Sequence, residues 1–260
     1  MNRFSEDIDL TVKILKSQSN TKNRNRLKNS ALSYKIEGLM LSKEDCINNK
    51  GSITGIYKYT SIYEPTSTPL HRDGIIQVEA TSFTVSEPYQ KYFIEPLLYK
   101  LSNNYEKNIL SKQFNVSRFP INIIKIERMF IDKIFAAEFY FIRNMLHDAS
   151  KHFYDICILL QNETIKKLLN NEKELIKLVN YKRKEELLRI GGINAKTKIK
   201  DFNYFKLDFN KNFIHEFYNM QNKYLLNNNY KITISELKEN LSKLLNVFMF
   251  LSWIFCLKKI

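Results

Sequence analysis

Residues 3–12 read RFSEDIDLTV. The part from Asp7 to Val12 is short and rich in β-branched residues, which predicts a strand. Strand side chains alternate between faces, so Asp7 and Asp9 share one face and Ile8 and Leu10 the other. Two carboxylates held this close repel each other, and a divalent cation relieves the repulsion. Mg²⁺ favours one or two carboxylates completed by substrate phosphates. Such a site polarises a phosphoryl oxygen and assists an attacking hydroxyl. Asp-x-Asp is also a common exposed strand or turn feature, so the pair needs support from elsewhere in the chain.

Support comes from "IIQVEATSF", Ile75 to Phe83, a second predicted strand. Its Glu79 lies between Val78 and Ala80, where a carboxylate is expensive to bury unless it is paired or on a metal. The alternative is a Glu79 that faces solvent from a half-exposed strand. An Asp-x-Asp strand followed by an apolar strand with one acidic residue is the pattern of a three-carboxylate nucleotidyltransferase site.

Composition limits the classes. The 260 residues carry 41 Lys+Arg against 27 Asp+Glu, a net charge of +14. That surplus suits an anionic partner such as a nucleotide or nucleic acid. A chain crowded with Lys, Asn and Ile also spends much Lys on solvated surface. A hydrophobic content of 44% excludes a disordered tail, and 6 Gly with 5 Pro suit long helices better than a β-sandwich. Cys46, Cys157 and Cys256 form no disulfide framework, and no signal peptide opens the chain, so a reduced cytoplasmic setting is expected. The apolar block "VFMFLSWIFCL", Val247 to Leu257, is too short to span a bilayer. It reads as a core helix, with a membrane-surface segment as the alternative; no membrane partner is expected.

The spacing of apolar residues predicts a helix from Asn20 to Cys46, capped by Asn20 or Thr21. Ser52–Glu64 reads as a strand, "PTSTPLHRDG" as a loop, and Tyr92–Leu101 as a strand or short helix. After Pro120 the pattern turns helical: Ile126–Leu146, Asp148–Leu160 with Asp148 as N-cap, Ile165–Arg189, Glu216–Asn229, and Ser235 to the end. Ser235 with Lys238 makes only half a capping box. The layout is an α/β front, residues 1–125, and a helical back, residues 126–260.

Further polar candidates lie in the helices. Lys133 sits inside the otherwise apolar "MFIDKIFAA", where it can reach a phosphate at a pocket rim or snorkel at a helix edge. "SKHFYDICILL" brings Ser150, Lys151, His152 and Asp155 together. Lys151 and Asp155 are four apart and can meet on one face, and His152 is also within reach of Asp155. Nothing resembles a nucleophile elbow, and "RIGGIN" lacks the Lys and Ser/Thr of a phosphate-binding P-loop.

"RFSEDIDL", "VEATSFTVSEP", "IERMFIDK" and "SKHFYDI", in this order, resemble the AbiEii/AbiGii toxin family of nucleotidyltransferases. The likeness runs from Arg3 to Leu160 and continues loosely through "FYNMQNKY". It implies an α+β fold: a truncated polymerase-β-like nucleotidyltransferase core, a mixed sheet with helices, followed by a helical C-terminal region. It implies a toxin of a toxin–antitoxin or abortive-infection system that moves a nucleotide from an NTP, GTP among the candidates, to an acceptor, in some members RNA. A cognate antitoxin is the implied protein partner and Mg²⁺ the cofactor. Carried over by position, Asp7, Asp9 and Glu79 would hold the metal, Lys133 the phosphates, and Asp155 would be the late essential Asp. Lys151 and His152 would line the substrate, while Glu127 and Arg128 give structural support. Lys151 stands where the family has Arg, and Met129 and Ile131 stand for Thr and Trp; Lys keeps the charge but loses the bidentate fork. The family has a glycine-rich "KGGTSLS" element upstream of the Asp-x-Asp strand. With Met1 only two residues before Arg3, a shortened copy with weak or no activity is expected. The second expectation is then a non-catalytic, toxin-like protein that binds an antitoxin or RNA.

Overall fold

Strand β1 (Asp7–Thr11) forms where the alternation predicts it and pairs in parallel with β5 (Ile75–Thr81). The computed structural model describes residues 3, 5, 7–49, 51–60, 74–82, 88–189, 191–194, 196–206, 208–225 and 227–257. On its other side β5 runs antiparallel to β4 (Ser52–Lys58), which also takes the short strands β2 (Met40–Leu41) and β3 (Ile47–Asn49). The sheet is therefore mixed. The predicted strand to Glu64 ends at Lys58; residues 61–73, most of the predicted loop, lie outside the described residues, as does Phe83.

One face of the sheet is apolar and covered. Leu10, Ile53 and Ala80 share it, and helix α1 (Asn20–Leu32) packs Leu27 and Ala31 onto them. Gly55 permits the closest approach, since a Cβ there would stand 2.3 Å from the Ala31 carbonyl oxygen. The Tyr57 hydroxyl locks the same contact by donating to that oxygen at 2.9 Å. α1 is shorter than the predicted Asn20–Cys46 helix. It starts from Ser19, whose Oγ accepts the Lys22 N–H, and stops at Ser33. The chain then turns through Gly38, at φ +79°, into β2. The apolar spacing beyond Leu32 belongs to this turn and strand.

A second ladder, β6 (Tyr89–Ile94) with β7 (Phe119–Ile124), carries between its strands α2 (Leu97–Leu101) and α3 (Asn104–Gln113). The stretch Tyr92–Leu101, ambiguous in sequence, is thus the end of a strand followed by a helix.

The back half is helical and holds the large core. Its helices are α4 (Ile126–Phe141), α5 (Leu146–Leu160), α6 (Glu163–Leu169), α7 (Glu172–Leu188), α8 (Lys211–Tyr224) and α9 (Ile234–Leu257). Phe153 of α5 is fully buried and meets Tyr204 and Phe213 edge-to-face at 5.2 and 5.4 Å. Such pairs add to the burial of their area. Arg128 is also fully buried and joins α4 to α7 by pairing with Asp132 at 3.1 Å and with Glu185. Lys182 completes the group by reaching Asp132 at 3.3 Å and Glu186 at 3.1 Å.

Several boundaries moved for local reasons. Ile165–Arg189 is two helices, because Asn170 ends α6 and Asn171 caps α7, its side chain accepting the Glu174 N–H. Asn competes well for such cap positions. Asp148 lies within the first turn of α5 and is not its cap. α8 begins at Lys211, five residues before the prediction, with Asn210 as its cap. The capping box of α9 is Thr233 with Glu236, not Ser235 with Lys238: each side chain bonds the other's backbone N–H. Phe248, from the apolar block, packs in the core, whereas Met249 and Phe250 are exposed. Among the described residues no helix is long and apolar enough to cross a membrane.

Candidate active site

The sheet face opposite α1 carries the carboxylates. Asp7 and Asp9 point to it from β1, and the register sets Asp9 beside Glu79 of β5. Neighbouring strands lie about 4.8 Å apart, so these side chains are direct neighbours. Ser5 Oγ donates to Asp7 Oδ1 at 3.0 Å, and Ser52 Oγ to Glu79 Oε1 at 3.3 Å. The face opens into a cavity of about 190 Å³ whose opposite wall is helical: Lys133 and Tyr140 from α4, Asp148, Lys151 and His152 from α5, Tyr224 from α8. Arg3 closes one side. Among the described residues, clefts of about 620 and 550 Å³ lie elsewhere, and neither gathers this set of charges.

The cations of this wall are held from behind. Asp155 has no exposed surface and does not line the cavity. Its Oδ1 accepts from Arg3 Nε at 2.8 Å, and its Oδ2 accepts from Arg3 Nη2 at 2.7 Å and Lys133 Nζ at 2.9 Å. Burial pushes the Asp155 carboxyl up, but the Arg3 fork and the Lys133 charge outweigh it and hold the group below the ordinary carboxylate range. For Arg3 burial likewise works against the charge, and Asp155 more than offsets it. Asp155 is thus a positioning residue. It keeps two cations at the cavity edge and ties the first residues of the chain to α4 and α5.

The sequence placed Asp155 opposite Lys151 on one helical face. The two part company in the structure. Asp155 faces inward to α4, while Lys151 leans outward, 3.5 Å from Asp148 and 5.0 Å from the centre of the Tyr224 ring. His152 stacks on Tyr140, ring centres 5.2 Å apart, and its Nδ1 meets no hydrogen-bond partner among the described residues. Burial, then the Lys133 charge, lower its pKa well below the usual histidine value, so it stands neutral at pH 7. Burial, with the charge of Glu236 adding to it, pushes the Cys157 thiol up to about 12, which removes it as a nucleophile.

The predicted residues Asp7, Asp9, Glu79, Lys133, Lys151 and His152 therefore line one cavity, with Asp155 beneath it. Arg3 was missed as a site residue, although it opens the motif. A lone cation ahead of two aspartates was the available signal, but its partner is 152 residues away. Tyr140 and Tyr224 left no signal, because aromatic residues on helices read as core.

Among the described residues no group of three His, Cys, Asp or Glu stands ready to hold a metal ion. The donor chemistry still suits a hard cation: the sheet face offers carboxylate oxygens, and Mg²⁺ needs only one or two of them when phosphates complete its shell.

A family model described as "Nucleotidyl transferase AbiEii toxin, Type IV TA system" matches residues 1–227, and the chain belongs to that family. No curated protein and no solved structure matches it.

Proposed function

We propose that this member of the nucleotidyl transferase toxin family moves a nucleotide from an NTP, GTP among the candidates, to a hydroxyl of an acceptor, RNA being the acceptor class. Mg²⁺ is the cofactor, the setting is a reducing cytoplasm, and an antitoxin of the same system is the protein partner. One observation carries the reading. Carboxylates from β1 and β5 and cations from α4, α5 and residue 3 converge on one cavity from distant parts of the chain.

Phosphoryl transfer needs positioning and charge neutralisation more than covalent help from the protein. Lys133, steadied by Asp155, presents an ammonium to the phosphates with little freedom to move away. Arg3 adds a second cation from the same carboxylate, and Lys151 a third at the rim. Asp7 and Asp9 would hold Mg²⁺, with Glu79 beside Asp9, and the ion would supply Lewis-acid polarisation of the phosphate oxygens. The acceptor oxygen bonds to the α-phosphorus as the bond to the pyrophosphate oxygen breaks. The hydroxyl proton passes to a carboxylate of the Asp7/Asp9/Glu79 face, and pyrophosphate leaves against the cations. Neutral His152, stacked on Tyr140, offers a ring face and a nitrogen to the nucleotide rather than a charge.

The test is label transfer from each of the four α-³²P-labelled NTPs to small RNA, with Mg²⁺. Wild type should label RNA with at least one of them, and Lys133→Ala and Asp9→Asn should each lose about 10²- to 10³-fold, the usual cost of removing one electrostatic contact to the reacting group. No labelling by folded wild type, or full labelling by Asp9→Asn, would overturn the reading.

A further inference from the structure

We propose that the excursion from Pro88 to Lys125 is a docking arm for single-stranded RNA. It deepens the transferase reading by seating the acceptor, and rests on that reading for this role. No residue of β6, α2, α3 or β7 is buried, and Tyr89, Tyr92, Phe93, Tyr105, Phe114 and Phe119 are each 47–74% exposed. A two-stranded ladder with so little core is marginal alone, and so much exposed apolar surface marks a binding face.

Charge says what the face binds. Between residues 88 and 125 stand six Lys or Arg and two Glu. Both Glu are engaged within the arm: Glu95 lies 3.4 Å from Arg118, and Glu106 closes the capping box of α3 with Asn103. Of the remaining cations Lys91, Lys100 and Lys112 are exposed, while Lys107 and Lys125 are half-buried, Lys107 lying 5.6 Å from the centre of the Tyr99 ring. A second copy would bring the same positive charge onto itself, whereas a polyanion is attracted.

Geometry selects the single strand. Tyr89, Lys91 and Phe93 alternate onto one face of β6, with Phe93 beside Pro120 across the ladder. The two rings stand about 13 Å apart along the strand with an ammonium between them. Unstacked bases can lie on such rings while the phosphate between them meets the Lys. A duplex hides its base faces and cannot use the rings. The arm ends at Lys125, which caps α4, and Lys133 lies eight residues on, about 12 Å along the helix axis. A strand held on the arm is thus near enough to offer a terminal hydroxyl to the cavity.

The test is fluorescence anisotropy with the full chain, a labelled 12-nucleotide oligouridine, and a labelled RNA duplex of the same length. Circular dichroism confirms that the variants fold. The single strand should bind more tightly than the duplex. Tyr89→Ala/Phe93→Ala should weaken it by roughly 30-fold or more, at about fivefold or more per ring. Lys91→Gln should lower the salt slope by about 0.7. Unchanged single-strand affinity in a folded aromatic double variant overturns the arm. So does a double variant that turns a dimer into a monomer with RNA affinity intact, which would assign the face to a protein partner. Lys133→Ala separates the two proposals. If it abolishes transfer while the arm variant still binds RNA normally, the arm fails and the transferase stands. Arm-dependent binding without any transfer by wild type retains the arm as a binding surface and sinks the transferase.

Discussion

Asp155→Asn isolates the charge that organises the site. The substitution keeps the shape of the side chain and removes one negative charge. Arg3 and Lys133, with 12% and 19% of their side chains exposed, would then face each other without the Asp155 charge between them. Removing one partner of a buried ion pair costs about 3–5 kcal/mol. Both cations border the cavity and can relax toward water, so the expected loss is at the lower end, ~3 kcal/mol. In a chain of this size each kcal/mol moves Tm by about 2–4 °C, so the melting temperature should fall by roughly 6–12 °C at pH 7. Arg3→Gln alone should cost less, about 1.5–3 kcal/mol, since Lys133 still neutralises Asp155. In the Asp155→Asn background the same Arg3→Gln should cost clearly less than it does in wild type, because the fork has already lost its acceptor charge. The pH dependence follows from the depressed pKa of Asp155. A group with a lowered folded pKa contributes its stability above its unfolded value, about pH 4, and loses it as pH falls through the folded value. The gap between wild type and Asp155→Asn should therefore close below about pH 4. Thermal melts followed by circular dichroism measure all of this. A drop of less than 2 °C at pH 7, or strictly additive costs in the double variant, would refute the positioning role of Asp155.

Three further outcomes are expected. Gly55→Ala drives a methyl toward the Ala31 carbonyl oxygen, 2.3 Å from the position its Cβ would take, and should cost about 1–3 kcal/mol by prising α1 off the sheet; a melting temperature equal to wild type would contradict that close approach. His152 has its pKa lowered chiefly by burial, so the unfolded chain takes its proton first and stability drains away as pH falls below about 6.5; His152→Gln should flatten this part of the pH–stability curve, and an unaltered curve would count against it. Arg128→Met should cost about 1.5–3 kcal/mol by taking the guanidinium from Glu185, which is only 3% exposed and keeps Lys182 at 3.5 Å, and urea unfolding showing no loss would dismiss the buried pair as a stabilising contact.

Much of this protein was legible one strand or helix at a time. Alternation alone put Asp7 and Asp9 on one face of a strand, because the side-chain period of a strand is fixed by its backbone. The same holds for Glu79 on β5, and for helices whose caps lie within a few residues of their first turns. Where boundaries were misplaced, local signals were present but lost to a longer apolar pattern: Asn171 three before Glu174, and Thr233 three before Glu236. Which partner each charge chose was beyond the sequence. Spacing on α5 offered Lys151 to Asp155 at i,i+4, a contact whose worth at the surface is a fraction of a kcal/mol. Burial settled the matter otherwise, because a carboxylate removed from water demands strong partners. Tertiary packing supplied them: Arg3 from the far end of the chain and Lys133 from the neighbouring helix. The sequence by itself determined which faces carry carboxylates and where the chain is helical, through short-range periodicity. Only the tertiary structure decided that those carboxylates and the helical cations border one cavity, since that depends on how sheet and helices are docked and on which charges can bear to be dry.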